Sequence, residues 1–269
     1  NMCGNVRISY AVFCLKKNTA GAIGFAARAP GISGTFIVAN GDVMTDLNVA
    51  DLVAFHRRSG AKATISLTPV DDPSQFGIVE TDADGRVLRF VEKPQPGETT
   101  SRFASAGTYV MEESTLALMP GTEKLSIERV TFPQLVAEGG LFAMATDDYW
   151  IDTGRPDTYL QANLDLIDGS RSRILSSVGV NAHVAASASI THSVIGDNCV
   201  VEDGCVMSDS VLLPGAHIGA RVRLERSLVM GSVGDGASLV DCVVGLDGHV
   251  SPNALLVGVK VPDPSEVAN

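Results

Sequence analysis

The 269-residue sequence is poor in aromatic residues, which make up 5% of it, and poor in positive charge, since its formal net charge is −11 at pH 7. This charge argues against nucleic acid or an anionic membrane surface as the main partner, whereas a phosphorylated small ligand needs only a few local cations or a metal ion. No apolar run approaches the ~20 residues that span a bilayer. The opening stretch, NMCGNVRISYAV, lacks the basic start and long apolar core of a signal peptide, so we expect a cytoplasmic protein.

Cysteine is also scarce, with five residues in the chain. An odd number without a secretion signal predicts reduced thiols rather than a disulfide framework. Cys199 and Cys205 are six residues apart, and neither belongs to a CxxC pair or a Cys/His cluster. We therefore expect no structural zinc site, and we interpret both residues as small buried side chains.

The rest of the composition, 45% hydrophobic and 19% charged, is that of a folded protein. The first part of the sequence alternates strand-like and helix-like segments. Asn48 is a candidate N-cap for a helix through NVADLVAFHRRSG, with His56 at its surface or boundary, and Asp84-Gly85 is a candidate hairpin turn. Helices are also predicted over IERVTFPQLVAEGG and over RPDTYLQANLDLIDG, which ends on Gly169. This alternation predicts an α/β domain with a mixed, mostly parallel sheet.

The sequence changes character after Ile174, where aromatic residues are absent and an aliphatic residue recurs on a six-residue beat. The hexads IGDNCV and VEDGCV follow one another directly, and VGVNAH, VAASAS, IGARVR and VGDGAS repeat the pattern. This is typical of a hexapeptide parallel β-helix, in which each aliphatic side chain stacks on its counterpart in the next coil. We therefore predict an α/β domain over residues 1–168, a parallel β-helix over 174–262 and a tail over 263–269.

The segment GTFIVANGDVMTDLN contains a predicted strand that ends in a glycine and an aspartate, Gly41 and Asp42. A buried carboxylate is costly unless it is paired or binds a metal. At the carboxyl end of a parallel strand, however, it can face the crevice where α/β proteins bind ligands. The alternative is a turn in which Gly41 only relieves backbone strain, and this segment alone does not decide between the two.

Five segments, in order, resemble the sugar-1-phosphate nucleotidyltransferases, most closely the mannose-1-phosphate guanylyltransferase-like members (GDP-mannose pyrophosphorylases) with a hexapeptide-repeat domain. They are NTAGAI (18–23), VANGDV (38–43), FVEKP (90–94), SAGTYV (105–110) and YWIDTGRPDTYLQAN (149–163). The resemblance implies a truncated Rossmann-like nucleotidyltransferase domain followed by a left-handed parallel β-helix. It also implies transfer of a nucleotidyl group from an NTP, with GTP favoured, to a sugar-1-phosphate, with mannose-1-phosphate favoured, and release of pyrophosphate.

The resemblance further assigns roles to single residues. Asp42 and Asp152 are expected to hold Mg²⁺ against the α-phosphate, and Lys93 is expected to neutralise the sugar phosphate. Glu92 is expected to accept hydrogen bonds from sugar hydroxyls, and Trp150 is interpreted as a packing residue. The remaining substrate-binding candidates lie beside the base or where backbone approaches the ligand: Thr19, Ala20, Gly21, Gly41, Gly77 and Gly107.

The sequence departs from the family pattern at its start, where the family's glycine-rich loop, arginine and Pro-Lys pair have no match. FCLKKN (13–18) stands where the family has acidic residues, proline, leucine and glycine, and Ser105 replaces the usual asparagine. Lys16 and Lys17 are candidate phosphate contacts in place of the loop. Because loss of central strands would expose sheet edges, we expect a homo-oligomer or a complex with a sister subunit.

Two other functions are compatible with the sequence. The first is a non-catalytic regulatory or scaffolding homologue that binds a sugar nucleotide or a sister subunit. The unmatched loop favours this function, and the retained Asp42, Lys93 and Asp152 disfavour it, since a purely structural protein has no need of that set. Asp152 has the alternative role of capping the helix that begins near Pro156. The second is an acyltransferase with a β-helix histidine as its base, although histidines on such coils are commonly solvated. The candidates for that base are His183, His192, His217 and His249.

Overall fold

The computed structural model describes residues 10–13, 19–27, 33–120, 125–171 and 175–262. The chain divides into two compact units between Trp150 and Ile151. The first unit contains the strands β1 (Tyr10–Phe13), β2 (Phe36–Asn40), β3 (Val43–Thr45), β4 (Ala63–Pro69), β5 (Gly77–Thr81), β6 (Val87–Glu92), β7 (Phe103–Met111) and β8 (Leu141–Ala145), and the helices α1 (Thr19–Ala27), α2 (Val49–Ser59) and α3 (Phe132–Ala137). Strand β9 (Trp150–Asp152) spans the division, and helix α4 (Pro156–Asp165) follows it.

The first unit is built on a mixed sheet in which the main strands lie in the order β1-β2-β7-β4-β8. Strand β2 is parallel to β1, β4 is parallel to β8, and β7 runs antiparallel between β2 and β4. The β5–β6 hairpin joins β7, and its turn contains Gly85 at φ +81°, as the sequence predicted. The carboxyl ends of β2 and β4 therefore reach the same edge, where ligands bind in open α/β sheets. The predicted α/β fold is confirmed.

The core of this unit lies between the sheet and the helices α1 and α3. Its largest fully buried side chains include Tyr109, Phe132, Ile65 and Leu135. The Tyr109 and Phe132 rings meet edge to face with their centroids 5.3 Å apart. Burial of an aromatic or large aliphatic side chain contributes about 1.5–3 kcal/mol each, so this cluster fixes α3 against the sheet.

Helix α2 begins where the sequence predicted, because the Asn48 side chain accepts a hydrogen bond from the Ala50 N–H at 3.0 Å. The expectation for His56 was wrong, since its side chain is only 1% exposed. One ring nitrogen lies 2.8 Å from the Thr64 hydroxyl and the other lies 3.1 Å from a carboxylate oxygen of Glu112. These two partners, on β4 and just after β7, satisfy a polar ring that would otherwise be costly to bury.

The helix predicted over IERVTFPQLVAEGG begins with a π turn, Ile127–Thr131, before continuing as α3. Pro133 accounts for the wider turn, because it has no N–H to bond to the carbonyl four residues before it. The Phe132 N–H instead bonds back to the Ile127 carbonyl. Ser126 caps the turn by accepting a hydrogen bond from the Arg129 N–H at 3.2 Å.

The second unit contains a parallel β-solenoid made of three sheets with five strands each. One sheet contains β10 (His183–Val184), β13 (Val200–Val201), β16 (His217–Ile218), β19 (Ser232–Val233) and β22 (His249–Val250). The next contains β11 (Ser189–Thr191), β14 (Val206–Ser208), β17 (Arg223–Glu225), β20 (Ser238–Val240) and β23 (Leu255–Val257). The third contains β12 (Val194–Ile195), β15 (Val211–Leu212), β18 (Leu228–Val229), β21 (Val243–Val244) and β24 (Lys260–Val261). His183 pairs with Val200, 17 residues further on, and His217 pairs with Ser232, 15 residues further on. The predicted β-helix is confirmed, with coils shorter than three hexads.

A ladder of small polar side chains runs along one corner of the solenoid. The Ser193 hydroxyl accepts from the Ser210 N–H, and the Ser210 hydroxyl accepts from the Ser227 N–H, at 3.1 and 3.0 Å. Cys242 is the next residue of this ladder, and its N–H donates to the Ser227 hydroxyl at 3.1 Å. Cys199 and Cys205 are buried, as predicted, so the three described thiols serve as packing groups.

Helix α4 packs its Leu164 against Val211 and Leu228 of the solenoid. It ends at Asp165 rather than at Gly169, because the N–H groups of Ile167 and Asp168 both turn back to the Leu164 carbonyl. The predicted domain boundary at residues 168–174 stays a prediction. None of the helices in the described part of the chain is long and apolar enough to cross a membrane.

Candidate active site

The residues Asn40, Gly41 and Asp42 lie at the carboxyl end of β2 and in the turn that follows it. Asn40 and Asp42 are half-buried and Gly41 is exposed. Ala39 pairs with Thr108 of β7, which brings Asn40 level with Gly107. The VANGDV and SAGTYV segments are therefore neighbours at one edge of the sheet. In the sequence, Asp42 and Gly107 are 65 residues apart.

Gly107 occupies an irregular position in β7 that only glycine fits without strain. Its φ is +76°, and a Cβ added there would lie 2.7 Å from the Asn40 side-chain nitrogen. The pairing with β4 skips at this point, since Ile65 faces Tyr109 whereas Leu67 faces Ser105. The bulge therefore places the Asn40 side chain directly on the Gly107 backbone.

Hydrogen bonds on both sides hold the bulge in place. The Ala106 carbonyl accepts from the Trp150 indole N–H at 2.9 Å, and the Thr108 carbonyl accepts from the Ser66 hydroxyl at 3.0 Å. The Trp150 ring also meets the Phe76 ring edge to face, with centroids 5.7 Å apart. These contacts agree with the interpretation of Trp150 as a packing residue.

Gly77 and Glu92 face one another across the β5–β6 hairpin. A Cβ added to Gly77 would lie 2.5 Å from the tip of the Phe90 ring and 3.0 Å from a Glu92 carboxylate oxygen. The hairpin therefore requires a glycine there so that the Phe90 and Glu92 side chains can fold over it. The Glu92 side chain is half-buried and makes no hydrogen bond or ion pair within the described part of the chain, whereas the Glu92 backbone pairs with Gly77.

Burial raises the pKa of the Glu92 carboxyl, and the negative charge of Glu128 raises it further, while Lys93 and Arg129 act in the opposite direction. A raised pKa in the folded state means that the ionised carboxylate opposes folding at neutral pH. This penalty disappears as the pH falls through the raised pKa. A half-buried carboxylate that destabilises the fold is typical of a binding site rather than of a structural ion pair.

We predict that Glu92→Gln raises the melting temperature at pH 8, because the amide keeps the shape of the side chain and removes the poorly solvated charge. The gain is expected to shrink as the pH is lowered through the raised pKa, where the wild-type carboxyl is itself neutral. Thermal melts at a series of pH values test this. Glu98→Gln is the control, since it removes a carboxylate that pairs with Arg89 on the surface, and its melting temperature is not expected to rise. A lower melting temperature for Glu92→Gln would show instead that the carboxylate is structural.

Lys93 is the next residue of the FVEKP segment, and its backbone lies in the left-handed region at φ +50°. Its N–H donates to the Phe76 carbonyl at 3.0 Å, which holds this conformation, and its side chain is exposed. A non-glycine residue in this region costs about 1–3 kcal/mol, and such strain clusters at functional sites.

Thr19, Ala20 and Gly21 lie at the start of helix α1. Ala20 is fully buried, and the N–H groups of Ala20 and Gly21 both point to the Leu125 carbonyl, at 3.1 and 3.4 Å. The first turn of α1 is thus fixed against the segment that leads into the π turn. Lys16 and Lys17 lie outside the described residues.

Asp152 is the last residue of β9 and belongs to the second unit. One of its carboxylate oxygens accepts a hydrogen bond from the Gly154 N–H at 2.7 Å, so the side chain orders the turn before α4. No three His, Cys, Asp or Glu side chains cluster as a metal site in the described part of the chain.

Sequence reasoning missed Glu128 and Tyr109. Glu128 is half-buried on the π turn, and its Oε2 accepts a hydrogen bond from the Ser126 hydroxyl at 2.7 Å. The Tyr109 hydroxyl lies 3.4 Å from the Ser105 hydroxyl, and burial raises its pKa, so it stays protonated. The serine that precedes Glu128 by two residues was a capping signal that could have drawn attention to it.

The described histidines of the solenoid are all exposed on its coils. His192 contacts Asp209 at 2.6 Å, and His217 contacts Glu202 at 2.9 Å. His249 lies 2.8 Å from the Ser232 hydroxyl. These are neighbour contacts along a solvated surface, as the sequence predicted.

Comparison with known proteins tests the family resemblance that the sequence motifs predicted. A family model described as nucleotidyl transferase matches residues 2–169, and one described as GlmU-like, C-terminal hexapeptide matches residues 165–247. The chain is 35% identical over 216 residues to a probable mannose-1-phosphate guanylyltransferase 1 of Oryza sativa subsp. japonica, covering 79% of this chain and 58% of the relative. It is 36% identical over 137 residues to a mannose-1-phosphate guanylyltransferase of Mycobacterium tuberculosis, covering 50% of this chain and 38% of the relative.

A further relative is a mannose-1-phosphate guanylyltransferase catalytic subunit beta of Dictyostelium discoideum, 34% identical over 157 residues, covering 58% of this chain and 43% of the relative. The chain thus spans about half the length of the curated relatives that it matches. The predicted resemblance is confirmed, and the chain belongs to the nucleotidyl transferase family.

Proposed function

We propose that this protein transfers a guanylyl group from GTP to mannose-1-phosphate and releases pyrophosphate. The observation that carries the proposal is the contact between Asn40 and the Gly107 bulge. It joins the predicted metal-binding and sugar-binding segments at one edge of the sheet, the position at which α/β proteins bind their ligands. The names of the relatives favour GTP and mannose-1-phosphate as the substrates.

The reaction needs no general base from the protein. A phosphate oxygen of the sugar-1-phosphate, already ionised at neutral pH, attacks the α-phosphorus of the nucleotide. The bond from that phosphorus to the bridging oxygen of the β-phosphate breaks, and pyrophosphate leaves with the electron pair. The role of the protein is to position the two anionic substrates and to offset the repulsion between their negative charges.

Asp42 and Asp152 are the proposed ligands of a divalent metal, with Mg²⁺ favoured. Their carboxylate oxygens are hard donors of the kind that Mg²⁺ prefers, and Asp42 lies in the turn that follows β2. When bound, the metal supplies positive charge to the α-phosphate. Asp42 offers its carboxylate from the turn after β2. Glu92 and the backbone at Gly77 and Gly107 are the proposed sugar-binding groups.

Lys93 is the proposed partner of the sugar phosphate, and we predict that Lys93→Met raises the KM for mannose-1-phosphate about 10- to 100-fold. Methionine keeps the length of the side chain but removes the point charge. Initial rates at varied sugar phosphate give this value, and the KM for GTP is expected to change little. Lys62→Met, which removes a surface pair with Glu138, serves as the control and is expected to behave as wild type. Equal kinetic constants for both variants would refute the role of Lys93.

Substrate identity is tested by initial rates with GTP, ATP, UTP and dTTP, each combined with mannose-1-phosphate or glucose-1-phosphate. The proposal predicts the highest kcat/KM for GTP with mannose-1-phosphate. A higher value for another pair would keep the chemistry and reassign the substrates. Pyrophosphate release from no pair would contradict the proposed function.

We further propose that the protein self-associates or binds a sister subunit in the cytoplasm. The name catalytic subunit beta, carried by the Dictyostelium relative and by one from Drosophila pseudoobscura pseudoobscura, supports association. The described cysteines are all unpaired, which suits a reducing compartment. Light scattering at micromolar concentration tests the assembly, and a monomer would count against it.

A further inference from the structure

A cavity lies beside the turn of the β5–β6 hairpin, away from the proposed sugar-binding groups. Its volume is about 610 Å³, and small-molecule sites commonly enclose about 300–1,000 Å³. Its lining comes from the last turns of α2, the hairpin turn and the start of β8. The hairpin pairs Gly77 with Glu92 at one end and Thr81 with Val87 beside the turn, so the cavity is a separate place on this unit.

Backbone contacts fix the walls of this cavity. The Ala143 N–H of β8 donates to the Gly85 carbonyl at 2.7 Å, and Arg86 pairs with Phe142 in an isolated antiparallel bridge. Gly85 has no room for a side chain, because a Cβ there would lie 2.9 Å from the tip of the Phe55 ring. The hairpin turn is therefore held between α2 and β8, and the cavity is formed without a ligand.

Packing, and not an ion pair, holds the Arg86 guanidinium. Its central carbon lies 5.5 Å from the centre of the Phe142 ring, in a cation–π contact. A Cβ added to Gly139 would lie 3.1 Å from one guanidinium nitrogen, so the glycine leaves the space that this group occupies. Asp82 directs its Oδ1 to the N–H groups of Asp84 and Arg86 instead, at 3.0 and 2.9 Å. Within the described residues the guanidinium keeps N–H groups free for a phosphate, which an arginine can bind through two oxygens.

The rest of the lining favours a nucleotide over a bare anion. Arg58, in the last turn of α2, supplies a second guanidinium that makes no ion pair with a described residue. Phe55 supplies an aromatic wall on which a base can stack. The Ser59 hydroxyl donates to the Phe55 and His56 carbonyls at 3.1 and 3.0 Å, so Ser59 and Asp84 offer acceptors to ribose hydroxyls. A nucleoside phosphate brings the anion, the flat ring and the hydroxyl donors together.

We propose that this cavity is a second ligand site, which binds a nucleoside phosphate with Arg58 and Arg86 on the phosphate and Phe55 against the base. Stacking and phosphate contacts do not select a base, so adenine and guanine nucleotides are expected to bind alike. The inference goes beyond the proposed transfer reaction and does not rest on it, because none of these residues is assigned to the substrates of that reaction.

Calorimetric titration of the whole chain with AMP tests the site, since AMP lacks the base of the proposed substrate GTP. We expect Arg86→Met and Arg58→Met each to weaken AMP binding about 10- to 100-fold, as for loss of a charged hydrogen bond. Arg57→Met is the matched control, because Arg57 is the neighbouring exposed arginine of α2 and does not line the cavity. Lys93→Met, at the proposed sugar phosphate site, is also expected to bind AMP as wild type does.

Titrations with inorganic phosphate and with adenosine separate the two parts of the ligand. Each is expected to bind at least about 10-fold more weakly than AMP, because each lacks one of the two contacts. Phe55→Leu keeps an apolar side chain without the ring, and it is expected to weaken AMP about 5- to 100-fold while leaving inorganic phosphate unchanged.

Equal affinity for AMP and inorganic phosphate would overturn the proposal, since it would show an anion site that does not recognise the nucleoside. AMP binding that is lost in Lys93→Met but kept in a folded Arg86→Met would overturn it as well, because AMP would then occupy the active site. Absence of AMP binding to wild type has the same consequence. If Arg86→Met folds poorly, Arg86→Lys keeps the charge without the planar fork, and an intermediate loss of affinity is expected.

Discussion

Replacing Asp42 with asparagine is expected to lower the kcat/KM for pyrophosphate release on the order of 10³-fold. The amide keeps the size of the side chain but loses the negative charge that a divalent metal requires. The variant is expected to keep the wild-type fold, since Asp42 lies in a turn after β2 and not in the core. Initial rates at saturating Mg²⁺ measure the effect, and circular dichroism confirms that the variant is folded.

Asp51→Asn is the control for this change, because Asp51 is exposed in the first turn of α2. It makes the same chemical substitution in the same unit and is expected to leave kcat/KM unchanged. A folded Asp42→Asn protein that keeps wild-type activity would remove Asp42 from the site. Equal losses in the two variants would show that the effect is one of general charge.

Replacing Gly107 with alanine is expected to destabilise the protein by about 2–4 kcal/mol and to lower kcat as well. The new Cβ would be held at φ +76° and would lie 2.7 Å from the Asn40 side chain. Asn40 would have to move, and it leads directly into Gly41 and Asp42. Urea unfolding gives the change in stability, and pyrophosphate release from the folded fraction gives the change in kcat.

The Gly97→Ala variant separates the cost of the left-handed backbone conformation from the cost of the contact with Asn40. Gly97 has a similar φ of +82°, but an added Cβ would meet no atom within 4 Å. Its alanine variant is expected to lose only about 1 kcal/mol from the backbone conformation and to keep its activity. If Gly107→Ala is no worse than Gly97→Ala, the contact with Asn40 does not hold the site.

Much of the fold could be predicted because its signals are local. The six-residue beat of the solenoid, the Asn48 cap and the Asp84-Gly85 turn each depend on residues that are near in sequence. The place of Asp42 at a strand end was also predictable, since apolar strand residues stop abruptly before Asn40. The contact of Asn40 with Gly107 depends on the pairing of β2 with β7, and the shared edge was implied only by the family resemblance.

The features that were missed depend on tertiary structure. The helical pattern placed His56 at a boundary, but Thr64 and Glu112 supply partners from other strands and allow it to be buried. Pro133 within a continuing helix produces the π turn that presents Glu128, and a proline alone would equally predict a helix end. The positive φ of Lys93 accompanies its hydrogen bond to the carbonyl of Phe76, the residue just before the neighbouring strand β5.

The most direct test of the central claim is to follow pyrophosphate and GDP-mannose together after mixing the protein with GTP, mannose-1-phosphate and Mg²⁺. The account predicts that both products form in equal amounts, that chelation of the metal stops the reaction, and that Asp42→Asn slows it on the order of 10³-fold. A sample that is folded by circular dichroism yet forms neither product would contradict the assignment of nucleotidyl transfer to this chain.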